Sequence, residues 1–467
     1  MLYLKKKEHM KTERKLFFLV LIFLVIVFIT RICGGEIKPV KDDGLIIRLS
    51  KQYKMGKIYD RNKEIIAQGK GNKVDWKVKE DSRESLNPLF NPDLSETFVS
   101  RMTIWGMAPE LFGYSDERLN LEGLFHPGKE RTGGNVQLTI DQRLQTYIYN
   151  LLKKNGYDTA NVVVSNWKTG EMLAAVSLCS SSKEKEIDNV LSERYSPGST
   201  MKIILAAAAL NIDPELENFT YDCSAQNHVF HTKEGDYKIN CSGDVYHGIV
   251  GMKDAIAYSC NGYFVSLIQQ LPKEKLKQQL EKWGFDTTIK FDQFSYWDQS
   301  FTGEKNNEGI SESEYLFSSI GQGNCTITPV GMNLCTNVLL NSGRLQEPKF
   351  VLAKSDSSNE KMENQLDGKN YKVSSTKAAE KVREMMLGVT SYGTGKDFYM
   401  PGFAAKTGTA QKTNKIGKIS DLYTVWTTGG LVSEETPYSI TVNLDDVHVS
   451  STDAGKIAKE ILQCIVG

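Results

Sequence analysis

The chain has 467 residues, more than one typical domain of roughly 150, so two or three units are expected, each able to bury a core. Its 57 basic residues equal its 57 acidic ones, and 40% hydrophobic with 24% charged residues is near the globular average. These values exclude a disordered chain, a small stapled scaffold and a polytopic membrane protein, and they supply no net positive field for nucleic acid.

In chain order, the first element is Leu16 to Ile29, an unbroken run of 14 apolar residues. It follows Lys5, Lys6, Lys7, Lys11, Arg14 and Lys15, with only Glu8 and Glu13 of opposite sign. The run covers roughly 21 Å, and Thr30, Ile32 and Cys33 extend it if Arg31 snorkels. We expect one transmembrane helix over 16–33 after a basic cytoplasmic arm, 1–15, with everything beyond it outside the cell membrane. A cleaved signal peptide is the alternative, but Thr30 to Cys33 offers no small-x-small cleavage site.

Residues 36–135 read as a polar, irregular membrane-proximal domain with turn clusters at Asn91-Pro92-Asp93 and Thr132-Gly133-Gly134. A second domain, 136–467, opens on an alternating strand at Val136 to Ile140. Asp141 then caps a helix whose Leu144, Ile148, Leu151 and Leu152 share a face. Asn161 to Ser165 and Glu171 to Ser177 read as a hairpin. Phe403 to Ala410, Leu422 to Val432 and Tyr438 to Asp445 are three late strands, followed by an amphipathic helix from Asp453. The middle, 195–395, is mostly helical in pattern, so one sheet is assembled from the two ends of the domain.

Chemistry concentrates at Tyr195-Ser196-Pro197-Gly198-Ser199-Thr200-Met201-Lys202, which runs into eight consecutive apolar residues, Ile203 to Leu210. Pro197-Gly198 predicts a turn, and the apolar run predicts a helix buried all round. Ser199 and Lys202 then share a face at its N-terminus, where desolvation lowers the lysine pKa and makes it a base toward the hydroxyl. Ser-x-x-Lys also occurs at Ser165, Ser180, Ser182, Ser358 and Ser374, none opening a buried helix, so context decides. Two further signals follow in order. Ser259-Cys260-Asn261 interrupts helical patterning and can point a hydroxyl and an amide into a cleft. Lys406-Thr407-Gly408-Thr409 lies on a strand, with a glycine that admits substrate to the backbone and a charge for a carboxylate.

This ordered set resembles the penicillin-recognising serine acyltransferases. Flanking segments are similar to those of class B penicillin-binding proteins, the single-pass transpeptidases of cell-wall synthesis. They are Gly56-Lys57-Ile58-Tyr59-Asp60-Arg61-Asn62, Leu138 to Asp141, Lys168 to Glu171, His247-Gly248, Gly321-Gln322-Gly323 with Thr328-Pro329, and Gly393-Thr394-Gly395. Departures are Met55 for the signature arginine, Lys63 for its last glycine, and Ala405 where glycine usually precedes the lysine. The resemblance implies an α+β transpeptidase domain with a five-stranded, mainly antiparallel sheet flanked by helices, beside a small pedestal domain and without C-terminal repeat modules.

It also implies a D,D-transpeptidase acting on peptidoglycan stem peptides and lipid-linked nascent glycan, with β-lactams as covalent inhibitors and no cofactor. Ser199 would be the nucleophile, Lys202 the base, Ser259 and Asn261 the proton relay and amide contact. Lys406, Thr407, Gly408 and Thr409 would bind the terminal carboxylate, and a SEDS-type glycosyltransferase would be the membrane partner. A β-lactamase or D,D-carboxypeptidase of the same fold, or a non-catalytic β-lactam sensor or wall-binding scaffold, is the rival reading.

Of eight cysteines, Cys223 and Cys241 lie 18 residues apart in a stretch that also holds His228 and His231. The spacing fits no standard zinc pattern, so no metal is assigned, and a disulfide, free thiols and a zinc site stay open.

Overall fold

The computed structural model describes residues 53–54, 56–70, 73–86, 131–132, 135–179, 189–289, 291, 297–302, 311–355, 361–364, 368–413 and 419–467. The chain divides into two units, Met1–Ser50 and Lys51–Gly467. The expected anchor at 16–33 and most of the expected pedestal lie outside the described residues. Among the described residues, no helix is long and apolar enough to cross a membrane.

The second unit opens with strands β1 (Lys57–Tyr59), β2 (Ile65–Lys70) and β3 (Lys73–Trp76) and helix α1 (Glu80–Leu86). β4 (Val136–Leu138) pairs in parallel with β1, then α2 (Gln142–Lys154) begins under its Asp141 cap, which accepts from the Arg143 and Leu144 amides. The hairpin β5 (Thr159–Asn166) and β6 (Met172–Cys179) follows.

Helix α3 (Met201–Ile212) is buried from Met201 through Leu210, as the apolar run from Ile203 requires, and Lys202 is buried with it. β7 (Thr220–Cys223) pairs with β8 (Gly248–Gly251), which leads into α4 (Met252–Ala257) and α5 (Asn261–Gln269). α6 (Pro329–Leu340), β9 (Val351–Lys354) and α7 (Thr376–Ser391) precede β10 (Phe403–Thr413), β11 (Ile419–Leu431), β12 (Tyr438–Val447) and α8 (Ser451–Val466). The middle is less purely helical than its pattern suggested, because short pairs such as β7–β8 and Val229–Thr232 with Gly235–Lys238 line its loops.

The five-stranded sheet runs β10-β11-β12-β5-β6, every pair antiparallel. One face buries Val162, Val164, Val425, Val442 and Leu444 against Ile148 and Leu152 of α2 and Ile457, Ile461 and Leu462 of α8. Ala405 is wholly buried within this core, so a methyl fits where the family usually has glycine. The opposite face packs against α6, all of whose residues are buried, and β10 packs against α7. The shared sheet thus holds β10 at its edge, open to the helices that carry Ser199 and Ser259.

A second sheet joins the early strands to the later chain in the order Glu363–Asn364, β9, β4, β1, β2, β3. Val136 to Leu138, read from the sequence as the opening strand of the second domain, therefore pairs with residues on both sides of the 135/136 boundary. Arg61 locks this seam: its guanidinium donates to the Thr139 carbonyl and to Glu171, each at 3.3 Å. Asn62 donates to Asp141 at 3.1 Å, and Lys63 turns the chain with a φ of +66°. That left-handed turn gives a physical reason for the glycine the family carries there.

Candidate active site

Ser199 lies in a 3-10 turn, Gly198–Thr200, that feeds directly into α3. The turn is held from several sides. Gly198 has φ +54° and donates its N–H to the Gly321 carbonyl at 2.9 Å. A Cβ on Gly321 would fall 2.0 Å from the Gly198 carbonyl oxygen, and one on Gly408 would fall 2.7 Å from that of Pro197. Only glycine lets the Gly321-Gln322-Gly323 loop and β10 approach so closely. Trp426 Nε1 donates to the Ser196 carbonyl at 2.9 Å, and the Thr200 hydroxyl donates to that of Pro197 at 2.8 Å.

Lys202 is completely buried one helical turn on. Its Nζ donates to Asn261 Oδ1 at 2.6 Å and to the Ser259 carbonyl at 2.7 Å, and stands 3.4 Å from Ser259 Oγ. Burial pulls its pKa from the usual 10.5 down to about 8. Ser259 takes φ +61°, a backbone region costly for a residue with a Cβ, between the end of α4 and the start of α5. The strain aims its hydroxyl into the site, where Lys406 Nζ lies 3.0 Å away.

Lys406 is also fully buried and donates to the Thr407 carbonyl at 2.9 Å. Desolvation, and then repulsion from Lys202, push its pKa well below the usual lysine value. Ser259 Oγ therefore sits between two buried amines, a geometry able to relay a proton. Thr407 and Thr394 share a hydroxyl hydrogen bond of 2.6 Å.

Ser199, Ser259, Asn261, Thr407, Gly408 and Thr409 line one cleft of about 1940 Å³, with Lys202 and Lys406 beneath its wall. Every residue singled out from the three motifs is thus brought together. Of the rival serines, Ser165 is sealed under α6, bonded to Asn333 Oδ1 at 2.6 Å, and Ser374 accepts from Asn211 at 2.9 Å; neither lines this cleft. Ser180, Ser182 and Ser358 lie outside the described residues. Sequence reasoning did not find the Trp426 contact, since nothing local marks a tryptophan 230 positions away as the support of the Ser196 turn.

Cys223 and Cys241, for which a disulfide was one open outcome, are both free thiols with Sγ atoms 3.8 Å apart. His247 Nδ1 lies 3.3 Å from Cys223 Sγ, and Cys260 Sγ lies 3.8 Å from Cys241 Sγ. His231 is elsewhere, exposed and bonded to Asp236 at 2.7 Å.

The family model for the penicillin binding protein transpeptidase domain matches residues 160–466, about two thirds of the chain. The chain belongs to the penicillin-binding protein transpeptidase family. The class B resemblance read from its motifs stands.

Curated relatives of this family member include the peptidoglycan D,D-transpeptidase MrdA of Acinetobacter baumannii, 29% identical over 311 residues, which are 61% of this chain and 45% of the relative. Stage V sporulation protein D of Bacillus subtilis is 27% identical over 312 residues, 62% of this chain and 46% of the relative. The chain thus spans about half the length of these two. Among solved structures, the crystal structure of PBPA from Mycobacterium tuberculosis superposes with a TM-score of 0.70 at 20% identity, covering 89% of this chain and 100% of that one. A ceftriaxone acyl-enzyme complex of penicillin-binding protein A from the same organism gives a TM-score of 0.71 at 20% identity, over 90% and 99% of the two chains. At these identities the structures establish the fold.

Proposed function

We propose that this chain is a serine-type peptidoglycan D,D-transpeptidase that binds β-lactams covalently. The observation that carries the reading is the convergence of Ser199, Lys202, Ser259, Asn261 and Lys406 on one cleft, with the lysine nearest the nucleophile in sequence buried and of lowered pKa. Relatives named as D,D-transpeptidases point the same way. In this reading the stem peptide ends in D-Ala-D-Ala. Neutral Lys202 takes the Ser199 proton as the hydroxyl attacks the penultimate carbonyl, and the N–H groups of Ser199 and Thr409 receive the oxyanion. The proton passes through Ser259 to the departing D-alanine. Asn261 holds a substrate amide as well as Lys202, while Lys406, Thr407 and Thr409 grip the terminal carboxylate and Gly408 keeps the strand close to it. An amine of a second stem then resolves the acyl-enzyme.

The proposed setting is a single-pass anchor at 16–33, a pedestal over 36–135 and a transpeptidase domain over 136–467 outside the membrane, partnered with a SEDS-type glycosyltransferase that supplies lipid-linked glycan. Support for the anchor is the 14-residue apolar run behind a basic arm. The deciding experiment is labelling with a fluorescent penicillin followed by mass spectrometry. An adduct on Ser199 that vanishes in Ser199→Ala and clears slowly supports a transpeptidase. Rapid clearance indicates a hydrolase, and absence of any adduct refutes the acyl-enzyme.

A further inference from the structure

Three thiols and one imidazole converge beside the cleft from four separate segments. Cys223 ends β7, Cys241 follows the Val229–Lys238 hairpin, His247 precedes β8, and Cys260 caps α5. The antiparallel register sets Gly248 opposite Cys223, which brings the histidine over the first cysteine. Their four ligand atoms all lie within 4.8 Å of one another.

We propose that Cys223, Cys241, His247 and Cys260 bind one tetrahedral Zn²⁺, which positions the Ser259–Asn261 corner of the active site. The spacing fits a tetrahedral zinc site. A Zn–S bond of about 2.3 Å and a Zn–N bond of about 2.0 Å set tetrahedral edges of roughly 3.8 Å between sulfurs and roughly 3.5 Å from sulfur to nitrogen. Three of the six edges in the structure are 3.8 Å for Cys223 to Cys241, 3.8 Å for Cys241 to Cys260 and 3.3 Å for Cys223 to His247, and the others are within 4.8 Å. Three soft thiolates with one imidazole select zinc over the hard cations magnesium and calcium.

All three cysteines are buried, and four protein ligands complete a tetrahedron, so the site is closed and structural and leaves no position for an activated water. Backbone donors already surround the sulfurs. The Asn261 N–H donates to Cys241 Sγ at 3.2 Å and the Tyr263 N–H to Cys260 Sγ at 3.5 Å, contacts that spread thiolate charge and orient the ligands. The His247 ring is stacked on Tyr258, centroids 5.8 Å apart at 14°.

The functional consequence follows from chain connectivity. Cys260 lies between Ser259 and Asn261, and Asn261 also hangs on Cys241, so a metal bound here clamps both residues that hydrogen-bond Lys202. It also restrains the left-handed Ser259 backbone. The metal is a positioning element, and that role rests on the acyl-transfer reading above, whereas metal binding itself does not.

The full-length chain, purified with a reductant and without chelator, is analysed for metal by plasma mass spectrometry. About one zinc per chain is expected, falling at least severalfold in Cys241→Ser and Cys260→Ser. Cobalt(II) exchanged into the wild-type protein should show thiolate charge-transfer bands and intense tetrahedral d–d bands. Stripping the metal should lower Tm and slow penicillin acylation about tenfold or more, and added zinc should restore both. Wild-type protein without stoichiometric zinc, with its thiols open to alkylation, overturns the site even if the variants fail to fold. Zinc retained undiminished by both variants does so too. Stoichiometric zinc whose removal leaves acylation unchanged overturns the positioning role.

Discussion

Lys202 Nζ stands 2.6 Å from Asn261 Oδ1 and 2.7 Å from the Ser259 carbonyl, so the buried lysine on α3 and the corner before α5 form one hydrogen-bonded unit. Two acceptors hold the amine in place while burial makes its charged form costly. With a pKa of about 8, the neutral amine gains population as pH rises through 8. Acylation by penicillin should therefore climb from pH 6, reach half its maximum near 8 and level off above about 9. Stability moves the same way: the unfolded lysine binds a proton up to its usual 10.5, the folded one only to about 8, so this residue raises stability with pH across that window. Stopped-flow acylation against pH checks the profile, and a rate that falls from 6 to 8 contradicts it. Lys202→Ala should slow acylation by roughly 100-fold or more.

Ser259 carries both strain and a hydroxyl, and two substitutions separate them. Ser259→Gly should relieve the positive φ and hold or raise Tm, while Ser259→Ala keeps the strain. Both remove the hydroxyl that Lys406 contacts at 3.0 Å, so both should slow acylation by a similar factor. Equal melting temperatures for the two variants would show that the backbone at this corner is unstrained.

Gly321 has no room for a methyl, since a Cβ would sit 2.0 Å from backbone oxygen and its φ is +69°. Gly321→Ala should push the loop off the Ser199 turn, cutting acylation by an order of magnitude or more while residues far from the cleft stay folded. Circular dichroism with penicillin labelling measures the two effects together. Wild-type labelling in this variant would mean the loop does not support the turn.

Lys406→Ala should weaken recognition of the substrate carboxylate while Lys202 still activates Ser199. Steady-state kinetics on a carboxylate-bearing thioester should show KM raised more than kcat is lowered, with part of the loss recovered at high substrate concentration. An effect confined to kcat would assign Lys406 to proton transfer alone.

Lys63 occupies a left-handed turn at an exposed position where the family signature has glycine. Lys63→Gly should stabilise the folded chain by up to about 1 kcal/mol, read as a small rise in Tm, because it removes the Cβ clash of the αL region. A fall in Tm would show that the gain in unfolded-chain entropy outweighs that relief.

The linear sequence marked most of the elements and singled out Ser199 as the candidate nucleophile. Local physics goes far toward both: an eight-residue apolar run rich in alanine favours a buried helix, and its entry places Ser199 and Lys202 on one face. The alternation of residues 136–140 and the β-rich run of 161–165 likewise mark strands whatever their partners. Motif order by resemblance supplied Ser259 and Lys406, but their roles depend on distances between residues 147 positions apart. Tertiary packing alone decided that these two meet at 3.0 Å, that Lys406 is buried rather than exposed, and that Gly321 must be glycine. It also decided that Cys260 and His247 complete the four-atom cluster with Cys223 and Cys241, while His228 reaches only Cys223, its Nε2 3.4 Å from that sulfur, and His231 stays exposed. The physical reason is that the β7–β8 register and the cap of α5, not sequence spacing, bring those side chains together.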